Sequence, residues 1–105
     1  MIVQTNAIAA PTSVAAGAPT SVSMYEDKTV TLENPGTATY QLQISCDSSA
    51  SPAATSWINE GAPLTAAGAL EVTKPCQWVR WNCTAFTNGA PTSRVAGVTH
   101  AQVLR

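Results

Sequence analysis

Three cysteines (Cys46, Cys76 and Cys83), one histidine (His100) and six acidic residues are the side chains of this 105-residue chain that could ligate a metal or act in catalysis. Structural zinc takes four nitrogen or sulfur ligands, usually paired at CxxC or HxxxH spacing. No such spacing occurs here, and His100 is the one imidazole, so the pattern speaks against a metal. The cysteines read instead as buried thiols, small apolar groups in a reducing cytosol. A Cys76–Cys83 or Cys46–Cys83 disulfide is the alternative after release into an oxidising medium. A catalytic serine needs a base held beside it. His100, Asp47 and one of nine serines would supply the parts, but no G-x-S-x-G elbow singles out a serine. The acids Glu26, Asp27, Glu33, Asp47, Glu60 and Glu71 are scattered, and neither a phosphate-binding glycine loop nor a dinucleotide fingerprint is present. The expectation is a chain that is not an enzyme and holds no cofactor.

The remaining candidates are aromatic. Trp57, Trp78 and Trp81 could stack on a sugar or a base. Trp78 and Trp81 fall on opposite faces if residues 77–86 form a strand, so at least one belongs to the core. The spacing favours Trp81 for the core. Trp78 shares its face with Arg80 and Phe86 and is a candidate for an interface or for partial cover, while Trp57 reads as core or lid. Arg80 beside Trp78 is either a cation stacked on a ring or, the favoured reading, an ordinary surface charge.

Strands must position these residues. The chain carries 14 Thr, nine Ser and 18 Ala, a composition whose β-branched and small residues favour strands over helices. Alternation begins near Ser21, and Lys28 to Glu33 sets Val30 and Leu32 on one face. Asn34-Pro35-Gly36 suits a type II turn, and Thr37 to Cys46 alternates best of all, with Ala38, Tyr40, Leu42, Ile44 and Cys46 to one side. These two strands are expected to pair as a hairpin. A small-residue loop, Asp47 to Ser56, precedes a short apolar anchor at Trp57 and Ile58, and a second irregular stretch runs from Gly61 to Gly68. Ala69 to Thr73 reads as a short strand with Leu70 and Val72 inward. Gln77 to Phe86 is the longest strand candidate, with Val79, Trp81, Cys83 and Ala85 on one face. Asn88-Gly89 signals a tight turn, and Arg94 to Val98 and Thr99 to Leu104 give one or two closing strands. The expected fold is all-β, an antiparallel β-sandwich (jelly-roll or Ig-like) of seven or eight short strands.

Residues 1–22 have no charge, carry prolines at 11 and 19, and repeat Ala10–Ser13 as Ala18–Ser21. They read as an extended N-terminal arm ordered by lying on something else, ahead of a sandwich domain over 23–105. Ala7-Ile8-Ala9 looks like a small-residue cleavage site, but no basic residue or continuous apolar run precedes it, so export by that route is not expected. Charged residues make up only 10% of the chain and the net charge is −1. So little charge gives no means of holding nucleic acid or an anionic membrane and weak protection against self-association. Much of the surface is therefore expected to be covered by a partner or by sister copies.

From Thr29 to Gly97 the chain resembles a family of small tailed-bacteriophage virion proteins. The residues that carry the resemblance are, in order, Val30–Leu32 (VTL), Tyr40–Ser45 (Y-x-L-Q-x-S), Asp47, Trp57, Leu64–Gly68 (LTAAG), Glu71–Pro75 (EVTKP), Trp78–Phe86 (WVRWNCTAF) and a following Asn-Gly. The chain departs from the family in Cys46, Cys76 and Cys83, and in a longer loop between Asp47 and Trp57. The resemblance implies a β-sandwich without catalytic residues, made in the host cytoplasm and displayed on the capsid surface as a head decoration or cement protein. Its partners would be the major capsid protein and its own copies in a dimer or trimer. Ile2, Val3 and Val14 in the arm, with Trp78 and Arg80 on the sheet, are the expected interface residues. A second expectation is a tail- or head-fibre module that binds a host glycan at Trp57, Asn59 and Asp47, and a third is a neck or tail component.

Overall fold

The computed structural model describes residues 2–99. Its strands are β1 (Ile2–Ile8), β2 (Thr20–Ser21), β3 (Lys28–Glu33), β4 (Thr37–Ser45), β5 (Trp57–Asn59), β6 (Gly68–Val72), β7 (Trp78–Asn88) and β8 (Thr92–Thr99), with one 3₁₀ turn at Ala54–Ser56. One sheet has the order β1-β8-β3-β6 and the other β2-β7-β4-β5, and every pairing is antiparallel. The pairs β1·β8, β2·β7, β3·β6 and β4·β5 are those of one long ribbon folded at its middle and wrapped into two layers. That is a jelly roll, the first of the two expected sandwiches.

The turn signals are real, but they do not make hairpins. Asn34-Pro35-Gly36 joins β3 in one sheet to β4 in the other, and residues 89–91 carry β7 across to β8 in the same way. Gly36, at φ 66°, fits the expected type II geometry. It packs against Asn88 and Gly89 at φ 148°, so a side chain at either glycine would strike the other turn. The hairpin expectation fails because β3 and β4 each have an apolar face, and both faces are buried best when the strands oppose each other across the core.

The uncharged N-terminal segment is built into the sandwich. Residues 2–8 pair with β8 over seven consecutive positions, from Ile2↔Thr99 to Ile8↔Ser93. The chain then crosses between the sheets, where Tyr40 Oη donates to the Pro11 carbonyl at 2.7 Å. Residues 15–22 run along the free side of β7, through Cys83 N to Ala15 O (2.9 Å), Gly17 N to Trp81 O (2.7 Å), β2, and Val22 N to Gln77 O (2.9 Å). Val22 is fully buried. Over residues 3–22 only Ile8 and Val22 are buried, and what orders the segment is backbone pairing, which composition does not display.

The core lies between the sheets and follows the alternation: Val30 and Leu32, Tyr40 and Leu42, Val79 and Trp81, with Val72 and Val95. Trp81 meets Tyr40 edge to face at 6.2 Å and donates from Nε1 to Ser93 Oγ at 2.7 Å, which in turn donates to the Thr31 carbonyl at 2.6 Å. Truncating a side chain as large as Trp81 costs about 3–5 kcal/mol. At the far end of β7 the period slips. Irregularities in the β4·β7 register near Ala38 and Tyr40 leave Ala85 exposed and turn Phe86 toward the core, the reverse of the expected facing. Apart from Thr99, which ends β8, the closing strand expected over 99–104 lies outside the described residues, as does His100.

Candidate functional site

The outer face of the β2-β7-β4-β5 sheet gathers the aromatic and polar residues. Strand register sets Trp78, Ser45 and Trp57 in one row across β7, β4 and β5, and Arg80, Gln43 and Asn59 in the next. Arg80 Nε donates to Gln43 Oε1 at 2.8 Å, and Gln43 Nε2 donates to Asn59 Oδ1 at 3.0 Å, a chain of bonds across three strands. The guanidinium also lies 4.3 Å from the centre of the Trp57 ring. Arg80 is therefore a stacked cation rather than a free surface charge, and its ring is Trp57 and not its strand neighbour Trp78. A contact of this kind contributes about 0.5–1 kcal/mol at a partly exposed site. Partial burial lowers the Arg80 pKa by removing water from the guanidinium.

The loop after β4 is pinned to the same face. Asp47 accepts from the backbone N–H of Ala53 and of Ser49, both at 2.9 Å, and these two bonds hold its carboxyl below the usual carboxylate range. Its carbonyl accepts from Trp78 Nε1 at 3.0 Å, and Ser45 Oγ meets Ser56 Oγ at 2.8 Å. Asp47 thus organises the loop, and its carboxylate oxygens are spent on the backbone. Of the glycan-binding set expected at Trp57, Asn59 and Asp47, the first two share the outer face and the third serves the loop.

No family model, curated protein or solved structure matches the chain.

The expected interface residues fall on separate surfaces. Ile2 and Val3 lie on the edge strand β1, and Val3 is 68% exposed. Val14, 64% exposed, sits in the crossing segment just before the stretch that follows β7. Trp78 and Arg80 lie half-buried on the outer face of the other sheet. Sequence reasoning missed Gln43, whose two bonds join Arg80 to Asn59. Its outward position was legible in the alternation of β4, but which strands flank β4 was not.

The cysteines divide. Cys83 is buried in the core, whereas Cys46 is exposed and Cys76 buried at a shared cavity. Cys83 lies opposite Tyr40, six residues along β4 from Cys46 and seven along the chain from Cys76. At roughly 3.3 Å per residue these separations are near 20 Å, far beyond the ~7 Å limit for a disulfide. Neither of the two alternative pairings is possible, and of the three thiols expected to be buried, Cys46 is exposed. Among the described residues no group of three or more His, Cys, Asp or Glu side chains is placed to hold a metal ion.

Proposed function

We propose that this chain is a non-enzymatic structural protein of a tailed-bacteriophage virion, a capsid decoration (cement) protein that bridges neighbouring major capsid subunits as a dimer or trimer. The observation that carries the reading is β1. Edge strands normally guard their unpaired backbone with charge, proline, a bulge or shortness. β1 runs seven residues in unbroken register with β8 and has no charge and no proline, among the described residues no strand pairs with its other side, and residues 3–7 are exposed. The other edges are protected: β2 and β5 have two and three residues, and β6 carries Glu71. A strand from a neighbour would add to β1 through backbone hydrogen bonds, with Val3 supplying apolar contact. Many copies on a lattice make modest single contacts sufficient. Jelly rolls are common in capsid proteins and also in lectins, so the fold supports the class by analogy and not the individual role.

Cryo-electron microscopy of the assembled particle tests the reading. Copies that follow the icosahedral lattice, with β1 against a neighbouring subunit, support it. Copies confined to the tail or neck overturn it.

The shelf formed by Trp57, Arg80, Gln43 and Asn59 favours a second reading, a glycan-binding module of a fibre. Planar aromatics flanked by fixed amide groups suit a sugar ring. Screening the full chain against host-surface glycans should then find a ligand lost in Trp57→Ala, and undiminished binding by that variant removes the reading.

A further inference from the structure

Cys46 and Cys76 line one cavity of about 310 Å³, together with Ser23, Tyr25, Pro75 and Gln77. Cys46 Sγ lies 3.7 Å from the carbonyl oxygen of Pro75, the residue bonded to Cys76. In a planar trans peptide the next Cα is about 2.8 Å from that oxygen, so Cys46 Sγ stands within about 6.5 Å of the Cys76 Cα. The strand ladder gives the same answer. Ser45 pairs with Trp78, and Gln77 N also donates to Ser45 O at 2.9 Å, so Gln77 and Trp78 both stand against Ser45 and the next residues on the two strands are Cys46 and Cys76. Opposed Cα atoms in such a ladder are about 4.5–5.5 Å apart. That is inside the ~4.4–6.8 Å range of disulfides.

We propose that Cys46 and Cys76 are a two-thiol oxidation site that closes to a disulfide by exchange with a low-molecular-weight disulfide such as oxidised glutathione. Cys46, exposed, is the entry point. Its thiolate attacks one glutathione sulfur, the glutathione S–S bond breaks, and one glutathione thiol leaves with a proton. The Cys76 thiolate then attacks Cys46 Sγ and expels the second glutathione. Two protein thiols are oxidised by two electrons, and one glutathione disulfide is reduced to two thiols. Burial, more than any other influence, raises the Cys76 pKa and keeps it the quieter partner, while the buried Lys28 ammonium acts the other way and favours its thiolate. The bond would tie the end of β4 to the connection between β6 and β7, enclosing the 47–56 loop, β5 and β6 in a ring. The site is independent of the proposed virion role.

The test uses the full chain, folded, incubated with oxidised glutathione, alkylated, and cleaved with trypsin and a protease that cuts after glutamate. The three cysteines then separate into fragments 34–60, 72–80 and 81–94. The expected product is 34–60 joined to 72–80, two hydrogens lighter than the pair, with 81–94 alkylated and the oxidised chain melting at a higher temperature. Cys83→Ala should give the same product. Three singly alkylated fragments, glutathione retained on Cys46, a covalent dimer through Cys46, or a link to 81–94 would each overturn the proposal.

Discussion

Ser93 Oγ hydrogen-bonds across the core, accepting from Trp81 Nε1 in one sheet and donating to the Thr31 carbonyl in its own. Ser93→Ala leaves a buried indole N–H without a partner, a loss of about 1–3 kcal/mol. Urea unfolding should show this as a lower midpoint with an unchanged slope, and a shift under about 0.5 kcal/mol would mean the bond is dispensable. Asp47 ties a loop to pH. The fold lowers its pKa from the ordinary value of 3.8, so its contribution is complete above that value and is lost as pH falls through the lower folded value. Amide resonances of Ser49 and Ala53 should titrate there, below the usual carboxylate range, while those of β7 stay put, and Asp47→Asn should abolish the titration. A midpoint at or above 3.8 contradicts the bonding described.

Among the elements, β1 and β8 carry separate predictions. Val3→Lys with Thr5→Lys adds charge to the open edge of β1 at exposed positions, where substitutions usually change stability by less than about 0.5 kcal/mol. The variant should melt like the parent yet occupy shells poorly, and full occupancy would discard β1 as the docking edge. In β8, Gly97 lies beneath the buried Tyr25 ring, and a Cβ there would stand 2.6 Å from ring carbons. Gly97→Ala should therefore cost about 1–3 kcal/mol, as overpacking does, measured as a fall in melting temperature. An unchanged melt would show that the ring moves aside freely. The strands were legible as elements because Thr37 to Ser45 alternates strictly and Val79, Trp81 and Cys83 recur at every second position. The slip at Ala85 and Phe86 was not, because a bulge belongs to the pairing of two strands and leaves no mark in either sequence.

At the scale of the whole molecule, the wrapped ribbon joins the two ends of the chain. β1 pairs with β8, and β2 with β7. Contacts so distant in sequence require large loops to close before they stabilise anything, and such folds form in milliseconds to seconds. Stopped-flow refolding followed by tryptophan fluorescence should fall in that range, and complete refolding in microseconds would contradict a topology closed by its terminal strands.

The sequence by itself determined the class of fold, most of the core and most strand positions, because burial of one face writes a period of two into β3, β4 and β7. It also determined the shortage of charge, with only 10% of residues charged. Only the tertiary structure decided which turns cross between sheets, that residues 2–22 complete both sheets, that Arg80 stacks on Trp57, and that Cys46 and Cys76 line one cavity. Each of these depends on which strands become neighbours. Neighbours are chosen by backbone pairing and by the closure of two layers over one core, and neither is encoded in the character of any single segment.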